Sequence, residues 1–379
     1  MDTTADLLKT PLHSLHLELG ARMAGFAGYD MPIQYPMGVM KEHLHTRTEA
    51  GLFDVSHMGQ ILIRAKSGDV RDAALALERL TPVDVAGLKP GRQRYGMFTN
   101  DKGGLEDDFM VANRGDHLYL VVNAACKHAD LARLKAALSD SCEIEPQFDR
   151  GLLALQGPEA ESVLAAYAAE AEDMLFMDVA EFDIAGVQAV VSRSGYTGED
   201  GYEISLPADE TERVARLLLS DDRLAPIGLG ARDSLRLEAG LCLYGHDIDA
   251  TTSPVEANLK WAIQKVRRTG GERAGGFPGA DRILPEFETG TARLRVGLQP
   301  TGKAPVRAGA ALYEHETGGE VIGTVTSGGF GPSAGAPVAM GYVPARLSST
   351  GTTLYADVRG KRLEMAVTAL PFVASTYKR

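Results

Sequence analysis

Four short stretches place ionisable and aromatic groups where a packed domain gains little from them: Phe53-Asp54-Val55-Ser56-His57-Met58, Gly103-Gly104-Leu105-Glu106-Asp107-Asp108, Gly195-Tyr196-Thr197-Gly198-Glu199-Asp200-Gly201-Tyr202-Glu203 and Gly230-Ala231-Arg232-Asp233-Ser234-Leu235-Arg236. In the second, Gly103-Gly104 permits a tight turn that can carry the following carboxylates into a cleft. There a carboxylate can orient a nucleophile and take its proton. Asp107 and Asp108 are adjacent, so if the segment into Phe109 is extended they point to opposite faces and only one reaches the cleft. The third stretch offers an aromatic wall and a carboxylate able to accept paired N–H bonds from a heterocycle. In the fourth, Arg232 sits at a helix start, against the dipole preference, which makes it a candidate to meet a ligand or partner carboxylate. Composition alone leaves each of the last three open to a plainer reading, as a hairpin tip, a hairpin and a solvated helix start. His57 has no companion at metal-ligand spacing and reads as structural. No G-x-S-x-G, H-E-x-x-H or supported Cys/His pairing occurs, which removes hydrolase and metalloenzyme readings.

These groups need elements to hold them. Gln60 to Arg64 reads as a strand, Ser67-Gly68-Asp69 as a cap and Val70 to Leu80 as a helix. Leu152 to Leu155, Gly157-Pro158 and Glu159 to Ala169 repeat that order, which hints at a duplicated α+β unit. Further strands are expected at His117 to Val122, Val187 to Ser192 and Tyr202 to Leu206, and a helix over Asp209 to Ser220 with Asp209 as N-cap. From Thr269 to Thr291 Gly, Pro and charge accumulate, broken by a helical stretch around Ala280 to Phe287. The expected division is therefore 1–287, two intertwined α+β domains, and 288–379, closely spaced strands with Gly turns that form a small all-β barrel or sandwich. Two glycine motifs are decoys. Gly297 to Lys303 has phosphate-loop spacing but continues into Ala304-Pro305, and Gly329 to Ala334 is followed by Gly335-Ala336-Pro337, which cannot open a helix.

With 379 residues the chain needs more than one core, at roughly 100 to 200 residues per domain. Hydrophobic residues at 44% and charged residues at 24%, without a long apolar run, describe a globular chain and argue against a membrane partner. A formal charge of -12 opposes the field that phosphate backbones require, so nucleic acid is not an expected partner. Cys126, Cys142 and Cys242 are odd in number and far apart, which argues for reduced thiols. The first thirty residues show neither an apolar signal core nor an Arg-rich, acid-poor transit segment, and a cytoplasmic location is expected.

Taken in order, these stretches resemble the glycine cleavage T-protein family. The likeness also runs through Gly20-Ala21-Arg22-Met23, Gly28-Tyr29-Asp30-Met31-Pro32, Arg236-Leu237-Glu238-Ala239-Gly240, Leu243-Tyr244-Gly245, Pro254-Val255-Glu256-Ala257, Thr324-Val325-Thr326-Ser327-Gly328 and Pro371-Phe372-Val373. The resemblance implies an α+β chain in a three-domain cloverleaf around a central folate channel, closed by a C-terminal β-barrel. It implies an aminomethyltransferase that takes the one-carbon unit from the lipoyl arm of H-protein to tetrahydrofolate, with no metal or nicotinamide. By motif position Asp107 would be the catalytic carboxylate and Glu203 would bind the pterin. Arg232 would line the site, and Tyr196 would be an aromatic wall. Met58, Tyr95, Asn123 and Tyr377 would be further contacts. Lys265, Arg267 and Arg268 form a basic run expected to steer an acidic H-protein. Two relatives of that scaffold fit less well. A folate-dependent demethylase departs around Arg232 to Gly245. The folate-binding protein of iron-sulfur assembly carries K-G-C-Y-x-G-Q, whereas this chain has Gly240-Leu241-Cys242-Leu243-Tyr244-Gly245-His246.

Overall fold

In a computed structural model, which describes residues 7–379, alternating apolar residues build three large sheets, beside a two-stranded ribbon of Arg22–Phe26 and Tyr29–Gln34. The first sheet has five antiparallel strands in the spatial order Arg92–Thr99, Leu105–Asn113, Leu118–Val122, Gly59–Ala65 and Cys142–Pro146. Its buried face, with Ile61, Ile63, Phe98, Leu118 and Leu120, packs under the helices Val70–Leu77 and Lys127–Leu138. Asp69 caps the first of these by accepting from the Arg71 N–H at 2.8 Å, as the sequence suggested.

The second sheet runs Val179–Ile184, Val187–Ser192, Gly201–Pro207, Arg150–Gln156, Ala50–Asp54 and Leu224–Pro226, with only the last pair parallel. One face buries Leu153, Leu155 and Ile204 against Val214 and Leu218 of the helix Ala208–Leu218. Pro207, and not the expected Asp209, stands at the N-cap of that helix, because the strand ends directly into it; Asp209 occupies the first turn. The opposite face holds Phe53, Leu152 and Ala154 against Ala231 and Leu235 of the helix Leu229–Glu238. The whole five-stranded unit is inserted between Ala50–Asp54 and Arg150–Gln156, and Cys242, Ile248, Ala257 and Leu259 return from beyond the second sheet to complete the first core. The two α+β units are therefore interlocked in the chain.

The third sheet is a closed barrel of six strands, Arg293–Pro300, Ala336–Pro344, Gly323–Gly331, Ala311–Tyr313, Thr353–Val358 and Lys361–Thr368, whose last strand pairs back to the first through Gly297 and Thr368. Closure removes both sheet edges. The helix Ala280–Thr289 runs across the position 287/288 because Ile283 is buried with Val255, Ile263 and Phe277, and the barrel begins only at Arg293. Gly329 to Ala334 lies in the hairpin joining Gly323–Gly331 to Ala336–Pro344, as its composition indicated.

The helix Leu229–Glu238 is where the three units meet. Leu237 packs on Val338 and Met340 of the barrel. Arg236 donates to Asp247 at 2.7 Å and to Ser327 at 2.9 Å. Glu238 accepts from Arg47 at 3.1 Å and from the Ser333 N–H at 2.8 Å, and pairs with His43 at 3.0 Å. These buried ionic contacts leave the helix one register against both neighbours, and that register sets the position of Arg232.

Candidate active site

Gly103 has φ of 75°, and a Cβ on Gly104 would lie 1.8 Å from the Ala250 carbonyl oxygen, so this turn admits no side chain. The strand Leu105–Asn113 that follows alternates, with Asp107 opposite Phe98 and Asp108 opposite Met97. Asp107 shares its face with Leu105 and Phe109 and has no accessible surface. Its neighbours are Cys126 and Asp130 at the start of the helix Lys127–Leu138. Asp108 points the other way and accepts from the Tyr95 hydroxyl at 2.8 Å. The Asn123 side chain joins the two carboxylates, donating to Asp107 Oδ1 at 2.8 Å and Asp108 Oδ1 at 2.7 Å, while its backbone N–H donates to Asp107 Oδ2 at 3.1 Å. Burial first, then the Asp107 charge, pushes the Asp108 carboxyl up to about 7.

Tyr95, Asp108, Tyr196, Glu203 and Arg232 are each half-buried, and their charges couple Asp108 to Tyr95 and Tyr196, and Arg232 to Tyr196 and Glu203, so the five bound one region between the first two sheets. The Asp108 charge reaches Tyr196, whose hydroxyl donates to the Cys242 carbonyl. The Arg232 guanidinium lies over the Tyr196 ring, 4.7 Å from its centroid. Burial raises the Glu203 carboxyl, and the Arg232 charge opposes that rise. Among the described residues the one hydrogen bond Glu203 receives is long, 3.4 Å, from the Ser194 hydroxyl. Arg232 Nη1 is buried and has no partner among those residues. A half-buried carboxylate and a guanidinium with unused hydrogen-bonding capacity form a site suited to a planar ligand that carries both donors and acceptors.

The expected site residues separate into those the fold brings together and those it does not. Asp107, the expected catalytic carboxylate, is the member of its pair turned away from this space, because the helix Lys127–Leu138 covers its face of the sheet. Asn123 and Tyr95 meet at Asp108, Arg232 lies over Tyr196 and within charge range of Glu203, and Met58 is half-buried against the cluster of Phe53, Ala231 and Leu235. Tyr377 is apart: it stacks on Phe176 with centroids 4.0 Å apart. His57 is buried, and burial holds its imidazole down to about 4, so it is neutral. The basic run is not a surface patch. Arg267 is 4% exposed and donates to the Glu78 and Thr81 carbonyls, while Arg268 donates to the Ile263 and Lys260 carbonyls. Sequence reading missed Trp261, 61% exposed with its ring 5.4 Å from that of Tyr95, although it is the chain's single tryptophan. Two clefts, of about 230 Å³ beside Asp247 and Arg293 and about 460 Å³ beside Tyr29 and Arg150, lie off this line of residues.

Comparison with known proteins bears on what such a site handles. The chain matches the family model described as GCVT N-terminal domain over residues 12–267, and that of the glycine cleavage T-protein C-terminal barrel domain over residues 293–374. It is 43% identical to a protein of Dictyostelium discoideum named "Aminomethyltransferase, mitochondrial", covering 99% of this chain and 94% of that one. A protein of the same name from Flaveria pringlei is 44% identical over 98% of this chain and 91% of its own. The crystal structure of glycine cleavage system aminomethyltransferase T from Bartonella henselae superposes with a TM-score of 0.90 at 45% identity, covering 98% of this chain and 100% of that one.

Proposed function

The chain belongs to the glycine cleavage T-protein family, and we infer from its site how it works as an aminomethyltransferase of the glycine cleavage system. In the reading we put forward, a lipoylated H-protein presents a carbon bonded to sulfur and nitrogen, and tetrahydrofolate accepts it. Ammonia leaves, the lipoyl sulfur becomes a thiol, and 5,10-methylenetetrahydrofolate forms. Of the two protons lost from the folate amines, one goes to the departing nitrogen and one to the sulfur.

The observation that carries this reading is the chain of neighbours from Asp108 through Tyr95 and Tyr196 to Arg232 and Glu203, which runs from the first sheet to the second and the helix packed on it. Glu203 is suited to accept adjacent N–H donors of a reduced pterin, which supply the hydrogen bonds it lacks. Arg232 Nη1 is suited to a pterin oxygen or a ligand carboxylate. Tyr95 and Tyr196 supply aromatic walls that fix a flat ring.

Asp108 is then the carboxylate that orients the attacking folate nitrogen and takes its proton. Its acidity near neutrality suits an acceptor that must release the proton again in the same turnover. The Tyr95 hydroxyl and the Asn123 amide hold the carboxylate plane, so the proton acceptor does not swing away as charge develops. Asn123 is a positioning residue in this scheme, and Met58 an apolar flank. Tyr377, stacked on Phe176 apart from these residues, takes no part in this scheme. A cytoplasmic setting remains part of the proposal, to be read by cell fractionation; among the described residues no helix is long and apolar enough to cross a membrane.

Incubation with lipoylated H-protein, glycine decarboxylase, glycine and tetrahydrofolate tests the assignment. Methylenetetrahydrofolate should accumulate in proportion to added protein. Accumulation with a small methylated amine in place of H-protein, and none with H-protein, would overturn it.

A further inference from the structure

Behind Asp108 lies a second buried carboxyl that the transfer reaction does not itself require. Asp130, in the first turn of the helix Lys127–Leu138, is 1% exposed, and neither of its carboxyl oxygens accepts a hydrogen bond from a side chain or backbone group of the described residues. Its near neighbour is Asp107, which has no accessible surface. Two ionised carboxylates in contact in a dry pocket repel strongly, and each would also lack donors. One proton removes both problems, because a carboxyl O–H on one residue donates to the carboxylate of the other.

The bonding pattern says which residue keeps the proton. Asp107 already accepts two N–H groups, both from Asn123, so it is suited to be the ionised member. Asp130 accepts none, so it is suited to be the acid. Burial, followed by the Asp107 charge, pushes Asp130 up to about 9. The other groups facing the pair agree with this assignment. Glu106 on the strand adds negative charge, Arg133 on the same helix as Asp130 opposes it, and Cys126 and Tyr244 are held as neutral thiol and phenol by burial. Asp108 completes the set on the opposite face of the strand.

We propose that Asp107 and Asp130 hold a single proton between them, so that the buried pair carries one negative charge and, through Asn123, sets the charge state of Asp108 in the active site. Asn123 is the physical link, since its one side-chain amide bonds both Asp107 and Asp108. Asp130 is thus a positioning residue: it acts on the reaction through Asp107 and Asn123 and touches no reacting atom. The functional half of this inference rests on the reading of Asp108 given above, whereas the shared proton stands independently of it.

Infrared spectroscopy reads the proton directly. At neutral pH a carboxylic-acid C=O band is expected in Asp108→Asn, where Asp108 itself cannot be the source, and adding Asp130→Asn to that variant should remove one carboxyl's worth of its intensity. Absence of the band from Asp108→Asn, or unchanged intensity in the double variant, overturns the shared proton. The acid limb of the pH profile of kcat/KM reads the coupling. An asparagine at 130 replaces one neutral donor by another, so Asp130→Asn should leave the limb in place. Asp107→Asn removes the charge of the pair and should move the limb to lower pH. A downward shift in Asp130→Asn equal to that in Asp107→Asn means that the pair carries two charges and overturns the proposal. No shift in Asp107→Asn overturns the link to Asp108. If the infrared result holds while the profile fails, the proton assignment stands and the role of Asp108 falls.

Discussion

Replacing Asp108 by Asn separates the two adjacent carboxylates most sharply. The substitution keeps the shape and removes the proton acceptor. It also sets an NH2 group against one of two donors, either the Asn123 amide, which now donates to Asp108 Oδ1 at 2.7 Å, or the Tyr95 hydroxyl, which donates to Asp108 Oδ2 at 2.8 Å. Loss of a general base costs on the order of 10² to 10⁴ in rate, which is about 3 to 5 kcal/mol of barrier at about 1.4 kcal/mol per tenfold. Turnover with H-protein should fall within that range, while folate affinity, held by Glu203 and Arg232, should change by less than about threefold. The matched control is Asp107→Asn. Asp107 has no surface open to the site, so its replacement should lower turnover by less than about tenfold. It also loses charge-assisted bonds from Asn123, worth about 1.5 to 3 kcal/mol each, and should melt at a lower temperature. Steady-state rates with purified H-protein, folate titration calorimetry and thermal melts of both variants decide the matter. An inactive Asp107→Asn beside an active Asp108→Asn would refute the argument from the exposed face and return the catalytic role to Asp107.

Other measurements probe the rest of the site. Glu203→Gln should weaken tetrahydrofolate binding by at least about tenfold, or about 1.4 kcal/mol, and unchanged affinity by calorimetry would remove Glu203 from the pterin site. Asp108 must be ionised to accept a proton and its folded value lies near 7, so kcat/KM should fall as pH drops through about 7; a flat profile down to the ordinary carboxylate range would contradict the burial argument. Arg267→Glu breaks a buried pair with Glu78, with an expected loss of about 3 to 5 kcal/mol in stability, whereas Lys265→Glu on the surface should stay within about 0.5 kcal/mol; equal effects in denaturant melts would mean that the Arg267 cluster is not structural.

Much of the molecule was legible from local chemistry alone. Gly103-Gly104 marked a turn that tolerates no Cβ, and residue types out of keeping with a core marked Glu203, Arg232 and Tyr196. Strand periodicity required that Asp107 and Asp108 face opposite ways, because alternation is a property of the extended backbone itself. Which face became the interior was settled by the helix Lys127–Leu138, whose Leu134 and Leu138 cover the Asp107 side; no local pattern around Asp107 carries that information. The basic run shows the same division. Its charge was plain in the sequence, but the acceptors that bury Arg267 come from Glu78 and Thr81, far away in the chain and adjacent only after folding. Asp130 drew no attention in the sequence, since an acid in a helix's first turn is ordinary, and only its placement against Asp107 makes it a carboxyl without donors among the described residues. Spacing along the chain thus determined which groups can act, while burial and partnership, which depend on contacts between distant segments, determined which of them do.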